Sequence, residues 1–297
     1  MPEGILERLA KGPVLGDGGY VYILRKRGLP MAGYSPQDVL THAEAVQQLQ
    51  REFFDAGAEV IQAQTFQGTR NRLAEVGHGN QFETIHRKAM EVAREVSQGR
   101  ALIAGSVGSA LGSRYRLGDR DRAQPWYAEE CALLKDLGAN FLILETFYFL
   151  EDALAALEAA KPTGLVTMVT MSCKPAFTSR EGFQMDYCAR FLKDEGADIV
   201  GLNCMQDPAL MLPLMERVRK AVEGPVAAQP VAVACAPNTV HMGQQEGSWT
   251  DHVLPPAAMA DFARQAMAVG IDYIGSCCGS GPEHVRAMAE ALGKVGR

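Results

Sequence analysis

The sequence predicts an α/β protein, a (β/α)8 TIM-type barrel, and three observations carry that prediction. The first is a weak internal repeat. Four times a helical pattern ends at Gly, passes a small or apolar residue and then an acid or Asn, and enters an apolar run. The copies are Ala56-Gly57-Ala58-Glu59-Val60-Ile61, Leu137-Gly138-Ala139-Asn140-Phe141-Leu142, Glu195-Gly196-Ala197-Asp198-Ile199-Val200 and Val269-Gly270-Ile271-Asp272-Tyr273-Ile274. Gly suits the left-handed position just past a helix end. An apolar run without alternation suits a strand buried on both faces. The second observation is spacing. A βα unit takes roughly 30 residues, so each interval between the four glycines has room for two units, and the copies are the even-numbered strands. The third is that the apolar runs end on polar or thiol residues, at the end of a barrel strand where chemistry gathers. A doubly wound open sheet is the alternative arrangement of the same elements.

The remaining elements fall into place along the chain. Odd strands are expected over 14–17, 101–107, 165–171 and 225–231. Helical patterns separate the strands over 39–56, 82–97, 127–137, 151–160, 187–195, 209–223, 257–269 and 283–292. No Pro/Gly/Ser-rich linker or low-complexity segment divides the chain, so 1–297 is expected to form a single domain.

Bulk properties narrow the function. The chain of 297 residues is 47% hydrophobic and 22% charged, the profile of an ordinary globular protein. A formal net charge of −6 argues against nucleic acid or an anionic membrane surface as the main partner. No apolar run approaches the roughly 18–20 residues that cross a bilayer. Met1-Pro2-Glu3-Gly4 lacks a basic segment followed by an apolar stretch, so no signal peptide is expected and a cytoplasmic location is. Seven cysteines in a chain with a large core point to metal binding or catalysis rather than a disulfide scaffold.

The thiols carry the sharpest signal. Cys204 closes the run Ile199-Val200-Gly201-Leu202-Asn203-Cys204, and Cys277-Cys278 stand in Gly275-Ser276-Cys277-Cys278-Gly279. All three follow repeat strands at nearly equal heights. Thiolates favour zinc, and three protein ligands with an open fourth position define a reactive site rather than a structural one. Such a metal would keep a bound thiol ionised, the nucleophilic form. Buried cysteines acting as small hydrophobes, or a vicinal disulfide, are the competing readings. Cys131, Cys173, Cys188 and Cys235 share no such pattern and read as structural.

Other strand ends add candidates. Gly16-Asp17-Gly18-Gly19 could bring a ligand to the backbone, whose N–H groups hold carboxylates, while Asp17 accepts from an ammonium; a tight βα turn explains the same residues. It is no phosphate loop, lacking the Lys and Ser/Thr of that motif. Glu145 follows Phe141-Leu142-Ile143-Leu144, so its carboxylate should be partly desolvated and need a cation, either a substrate ammonium or a nearby Arg. Arg114, Arg116, Arg120 and Arg122, mixed with Asp119 and Asp121, read as a solvated charged loop before a lid. The six histidines show no metal-binding spacing.

Taken together, Gly16-Asp17-Gly18-Gly19-Tyr20-Val21-Tyr22, Gly201-Leu202-Asn203-Cys204 and Gly275-Ser276-Cys277-Cys278-Gly279 resemble the homocysteine S-methyltransferase family, and most of all its betaine–homocysteine branch. Lys26-Arg27-Gly28 and Ala228-Gln229-Pro230-Val231 add to the likeness, which spans nearly the whole chain. The resemblance implies a (β/α)8 barrel with Zn2+ on Cys204, Cys277 and Cys278. It implies homocysteine contacts from Asp17, Gly18, Glu145 and Thr65, and a methyl-donor site formed by Tyr34, Phe66, Gln67 and Thr146. Gln67 and Thr146 stand where the betaine branch has tyrosines, and Glu145-Thr146 looks more like the S-methylmethionine-using branch. The betaine enzymes continue into a C-terminal arm used in oligomer assembly. This sequence stops at Arg297, soon after the last helix, which removes the main warrant for a tetramer and leaves a homo-oligomer as an open expectation.

The activity so implied is transfer of a methyl group from a betaine-like quaternary ammonium or sulfonium donor to homocysteine, giving methionine. The substrate sulfur acts as zinc-bound thiolate and no separate base is assigned. S-methylmethionine or S-adenosylmethionine as donor, selenocysteine as acceptor, a corrinoid-fed methyltransferase, a zinc hydrolase, and a non-catalytic thiol- or zinc-binding protein are the alternatives.

Overall fold

The computed structural model describes residues 3–29, 36–173, 177–235 and 252–294. Eight parallel strands follow one another round a barrel: β1 Val14–Leu15, β2 Val60–Gln62, β3 Leu102–Val107, β4 Phe141–Phe147, β5 Thr167–Met171, β6 Ile199–Asn203, β7 Val226–Gln229 and β8 Tyr273–Ile274. Strand β1 pairs with β8, Val14 opposite Tyr273, so the first and last strands of the chain lie side by side as the barrel reading requires. The open-sheet alternative is thereby excluded.

Eleven helices are described: α1 Ile5–Leu9, α2 Tyr20–Lys26, α3 Ala43–Asp55, α4 Arg70–Glu75, α5 Phe82–Ser97, α6 Arg120–Asp136, α7 Leu150–Ala160, α8 Met185–Asp194, α9 Pro208–Ala221, α10 Pro256–Val269 and α11 Pro282–Ala291. The expected helix over 39–56 is broken: a 3₁₀ turn at Pro36–Leu40 precedes α3, and His42 at φ −126° interrupts the helix. Helix α6 starts seven residues before the sequence pattern does. Arg120 reaches Glu158 of α7 at 2.5 Å and Gln124 donates to the same carboxylate, holding the start of a helix that has Pro125 in its second turn. The supposed arginine loop is therefore partly helix. Three short helices, α1, α2 and α4, fall below the length at which periodicity is legible. Helix α1 plugs the barrel floor, its Ile5 and Leu9 packing against inward-facing Val14, Val60, Phe141, Ile199 and Tyr273.

Alternate residues of a strand share a face, and the inward faces grade from apolar to polar as they rise. Strand β3 runs Leu102, Ala104, Ser106; β4 runs Phe141, Ile143, Glu145; β6 runs Ile199, Gly201, Asn203. The outward faces are covered by helices in a continuous apolar layer. The strands therefore look uniformly apolar low down and end on functional groups at the top.

The repeat proves to be a fastening device. In each copy the acid or Asn clamps the strand before it through both backbone groups. Asp198 donates its N–H to the Thr167 carbonyl (3.1 Å) while its Oδ2 accepts from the Thr167 N–H (2.8 Å). Asn140 does the same to Ile103 (2.8 and 2.7 Å), Asp272 to Val226 (3.0 and 2.9 Å) and Glu59 to Leu15 (2.8 and 3.0 Å). The preceding glycines all take positive φ, from 84° to 113°, which a side chain would strain. At the β1/β2 seam, where no strand ladder is described, the Glu59 clamp and a bond from the Gln62 N–H to Asp17 Oδ2 (2.8 Å) close the barrel. Asp198→Ala should strand a buried N–H and cost about 1.5–3 kcal/mol, lowering Tm by roughly 3–8 °C. An unchanged thermal midpoint would show that the clamp adds nothing.

Candidate metal centre and substrate cavity

At the C-terminal ends of the strands lies a cavity of about 660 Å³ lined by Cys204, Cys277, Cys278 and Glu145 among others. The three Sγ atoms lie within 4.8 Å of one another, with Cys204–Cys278 at 4.0 Å and Cys277–Cys278 at 3.9 Å. All seven cysteines are free thiols, so the vicinal disulfide is not formed. Tetrahedral zinc with Zn–S bonds of 2.3 Å places its sulfurs about 3.8 Å apart. The thiols are thus already spaced for such an ion, with their open side towards the cavity. Hydrogen bonds accepted from Cys204 and Cys277 hold the Cys278 thiol well below its ordinary pKa. Donation to Cys204 and Cys278, with burial, holds Cys277 well above it.

Backbone strain aims the thiols. Cys204 and Met205 both take left-handed φ, 59° and 58°, an arrangement that costs non-glycine residues of order 1 kcal/mol or more each. The strain is held by bonds from the Cys204 N–H to the Gln229 carbonyl (2.9 Å) and from the Gln206 N–H to the Cys204 carbonyl (2.7 Å). Cys277 is fixed by its N–H on the Pro230 carbonyl (2.8 Å). Gly19 packs so closely that a Cβ there would lie 2.8 Å from the Cys277 carbonyl oxygen and 3.2 Å from Cys278 Cα. The two glycine-bearing motifs of the sequence are therefore one contact in space.

Glu145 is buried at the top of β4. Its Oε1 accepts from Ser106 Oγ (2.5 Å) and its Oε2 from Asn203 Nδ2 (3.2 Å). No cation pairs with it among the described residues, and burial, with the nearby charge of Asp17, pushes its pKa up to about 7. Asp17 is likewise raised to about 7, by burial. Its Oδ2 accepts from Tyr20 Oη (2.5 Å) and the Gln62 N–H, while Oδ1 has no partner among the described residues. Gln229 Nε2, which borders the same cavity, is also unpartnered there.

The candidate residues do not all converge. Gly18 and Glu145 line the cavity, as do Phe66, Gln67 and Thr146. Asp17 lies behind this surface, 1% exposed. Thr65, three residues past β2, is not among the residues that line the cavity; its hydroxyl donates to the Ser106 carbonyl (2.8 Å) and accepts from the Ser106 N–H (3.1 Å), fastening this segment to β3. Tyr34 lies outside the described residues. Cys131, Cys173 and Cys188 are buried, and Cys235 packs on the thiol cluster with Met205 and Val233.

Sequence reasoning passed over three residues. Asn203 ties the metal strand to the carboxylate strand: besides Glu145, its amide donates to Thr146 Oγ1 (2.7 Å) and accepts from the Thr146 N–H (3.0 Å), holding Thr146 at φ 64°. Tyr148, two residues on, lines the cavity close enough to the three thiols for their charge to raise its hydroxyl pKa further, above what burial does. Arg180 lines it from the loop after β5. A larger groove of about 770 Å³ lies at the opposite end of the barrel, but it holds no thiol, and Lys11–Glu3 and Lys294–Glu59 ion pairs occupy it.

Comparison with known proteins agrees with this geometry. The chain is 34% identical to betaine–homocysteine S-methyltransferase 1 of Danio rerio over 305 residues, 98% of this chain and 76% of that protein. It is 33% identical to an S-methylmethionine–homocysteine S-methyltransferase of Mus musculus over 308 residues, 98% of this chain and 81% of that one. The fold matches the metallated form of the homocysteine methyltransferase MmuM from Escherichia coli, with a TM-score of 0.77 at 20% identity over 96% of this chain and 99% of that one. Residues 14–292 match the family model described as homocysteine S-methyltransferase, and the chain belongs to that family.

Proposed function

We propose that this chain is a zinc-dependent S-methyltransferase that moves a methyl group from a betaine-like onium donor to homocysteine, giving methionine. One observation carries the reading: a single cavity holds three convergent thiols and a buried carboxyl that lacks a cation. An amino acid with a thiol at the end of its side chain satisfies both at once. Cys204, Cys277 and Cys278 would hold the zinc, whose Lewis acidity keeps a substrate thiol ionised at neutral pH.

The chain's own groups supply the rest. Glu145, braced by Ser106 and Asn203, takes the substrate ammonium, with Asp17 adding negative field from behind. The glycine turn lets the substrate carboxylate reach the backbone. Phe66 offers a ring face to the donor cation. The donor methyl forms a bond to sulfur as its bond to nitrogen or sulfonium sulfur breaks, and the donor leaves without its positive charge. Because that charge vanishes in the transfer, a water-poor and partly apolar cavity favours the reaction. Orientation of the two reactants is the main contribution of the barrel mouth.

S-methylmethionine is the second donor reading, favoured by the near-equal identity to the mouse relative named for it. A donor panel tests both. The zinc-loaded protein is incubated with homocysteine and glycine betaine, dimethylsulfoniopropionate, S-methylmethionine or S-adenosylmethionine, and methionine is measured. Methionine from at least one onium donor is expected; none from any would reduce the chain to a thiol-binding protein.

A further inference from the structure

We propose that Arg180 is the carboxylate-recognising residue of the methyl-donor site, and that it restricts donors to onium compounds that carry a carboxylate. The proposal rests on the methyltransferase reading above and adds a selection rule to it.

Arg180 is held rather than free. Its N–H donates to the Tyr148 carbonyl (2.8 Å), and its guanidinium sits over the rings of Tyr148 (5.0 Å) and Phe149 (5.7 Å). The neighbouring residue Glu181 accepts from the Glu151 N–H at the start of α7 (3.1 Å), and an antiparallel bridge between Thr178 and Gln184 closes the turn. Both backbone and side chain are therefore placed against the end of β4, beside the residue whose hydroxyl lies in the field of the three thiols.

Charge accounting singles this arginine out. Arg72, the other arginine of the cavity, has a carboxylate partner in Glu75 (2.6 Å), which it shares with Arg114, and donates to Gln67 Oε1 (2.8 Å). No carboxylate pairs with Arg180 among the described residues. Among the described side chains that line the cavity outside the thiol cluster, Glu145 is a carboxylate with no cation beside it and Arg180 a guanidinium with no carboxylate beside it. A methyl donor is itself a cation, and a bare one would be repelled by an uncompensated guanidinium in a partly desolvated site. A zwitterion removes the conflict: its carboxylate meets Arg180 in the planar, two-pronged geometry that suits guanidinium, and its onium end lies against ring faces towards the thiols.

The acceptor's carboxylate belongs elsewhere. Arg180 follows β5, diametrically across an eight-stranded barrel from the turn after β1. In that turn Gly18 lines the cavity, and its N–H has no backbone partner among the described residues. The amino-acid end of homocysteine is satisfied between Gly18 and Glu145, leaving Arg180 for the second reactant.

Two sulfonium donors with the same leaving chemistry make the test: dimethylsulfoniopropionate, which has a carboxylate, and trimethylsulfonium, which has none. Wild type should prefer the first by about 100-fold in kcat/KM, the worth of a charge-assisted bidentate contact. Arg180→Met, which keeps a long stem over Tyr148, should bring that ratio close to one, and Arg180→Lys should restore about a tenth of it. The homocysteine KM should stay within about twofold. Calorimetric binding of the two sulfonium compounds, read without turnover, should show the same loss of preference. An unchanged donor ratio in Arg180→Met, or a rise in homocysteine KM instead, would overturn the assignment. If wild type binds the carboxylate-bearing compound preferentially but makes no methionine from any donor, the methyltransferase reading falls and the carboxylate site stands.

Discussion

Cys278→Ser should lose its metal and lower methionine formation by more than about 1,000-fold. Two separate losses add up to that figure. A free thiol of pKa near 8.5 is only about 3% ionised at pH 7, so losing metal assistance alone costs about 30-fold in nucleophile. Losing the fixed position of the sulfur costs more, because well-oriented reactants gain effective molarities of 10⁵ M or higher. Cys278 lies 4.0 Å from the Cys204 sulfur and 3.9 Å from the Cys277 sulfur, so its removal breaks the triad on two sides. Ser preserves volume beside Val231 and Val233 and keeps folding out of the comparison. Metal content by atomic spectroscopy, far-ultraviolet circular dichroism and methionine yield together decide the matter. A folded variant that keeps one metal per chain and normal turnover would remove Cys278 from the site. Cys204→Ser and Cys277→Ser should behave alike, since all three sulfurs share one cluster.

Why the sequence revealed this centre so directly, and its surroundings less so, has a physical cause. The even strands were legible because each carries a clamp, and a clamp needs a fixed residue type at a fixed step from a helix-ending glycine. Glu59, Asn140, Asp198 and Asp272 leave that trace. Cys204 and Cys277-Cys278 then follow from strand height alone. The short helices α1, α2 and α4 are set by tertiary contact, such as Ile5 and Leu9 plugging the floor, and leave no local period. Thr65, three residues past the end of β2, has its hydroxyl on the Ser106 backbone, a contact that only the folded β2–β3 neighbourhood reveals. Arg180 and Tyr148 meet across a loop, 32 positions apart, and only the fold brings them together. Asn203 was quoted as part of a motif, but its two-handed hold on Glu145 and Thr146 depends on β4 and β6 both turning polar at the same height.

Glu145→Gln should raise the homocysteine KM by about 100-fold if Glu145 takes the substrate ammonium as proposed, because a neutral amide then replaces a buried carboxylate that has no cation among the described residues; breaking such a buried pair costs about 3 kcal/mol or more. The same carboxyl predicts a pH signature. Burial, with Asp17 close by, raises its pKa from 4.5 to about 7 in the folded protein. A carboxyl raised on folding stabilises the protein fully below its unfolded pKa, and that contribution disappears as pH rises through the folded value. The ligand-free protein should therefore lose stability between about pH 4.5 and 7, by up to about 3 kcal/mol for this group. Asp17, also raised to about 7, adds in the same sense. An ammonium ligand binds only the ionised carboxyl, so ligand affinity must run the other way and strengthen over that window. The cleanest probe is 2-aminobutyrate, which keeps the amino-acid end of homocysteine and has no thiol to titrate. Its thermal stabilisation of wild type should be small at pH 5.5 and grow to a plateau near pH 8. In Glu145→Gln most of the stabilisation and of its pH dependence should be lost, the remainder coming from Asp17. A variant that still binds 2-aminobutyrate with the wild-type pH profile would place the ammonium elsewhere, and with it the amino-acid end of the substrate.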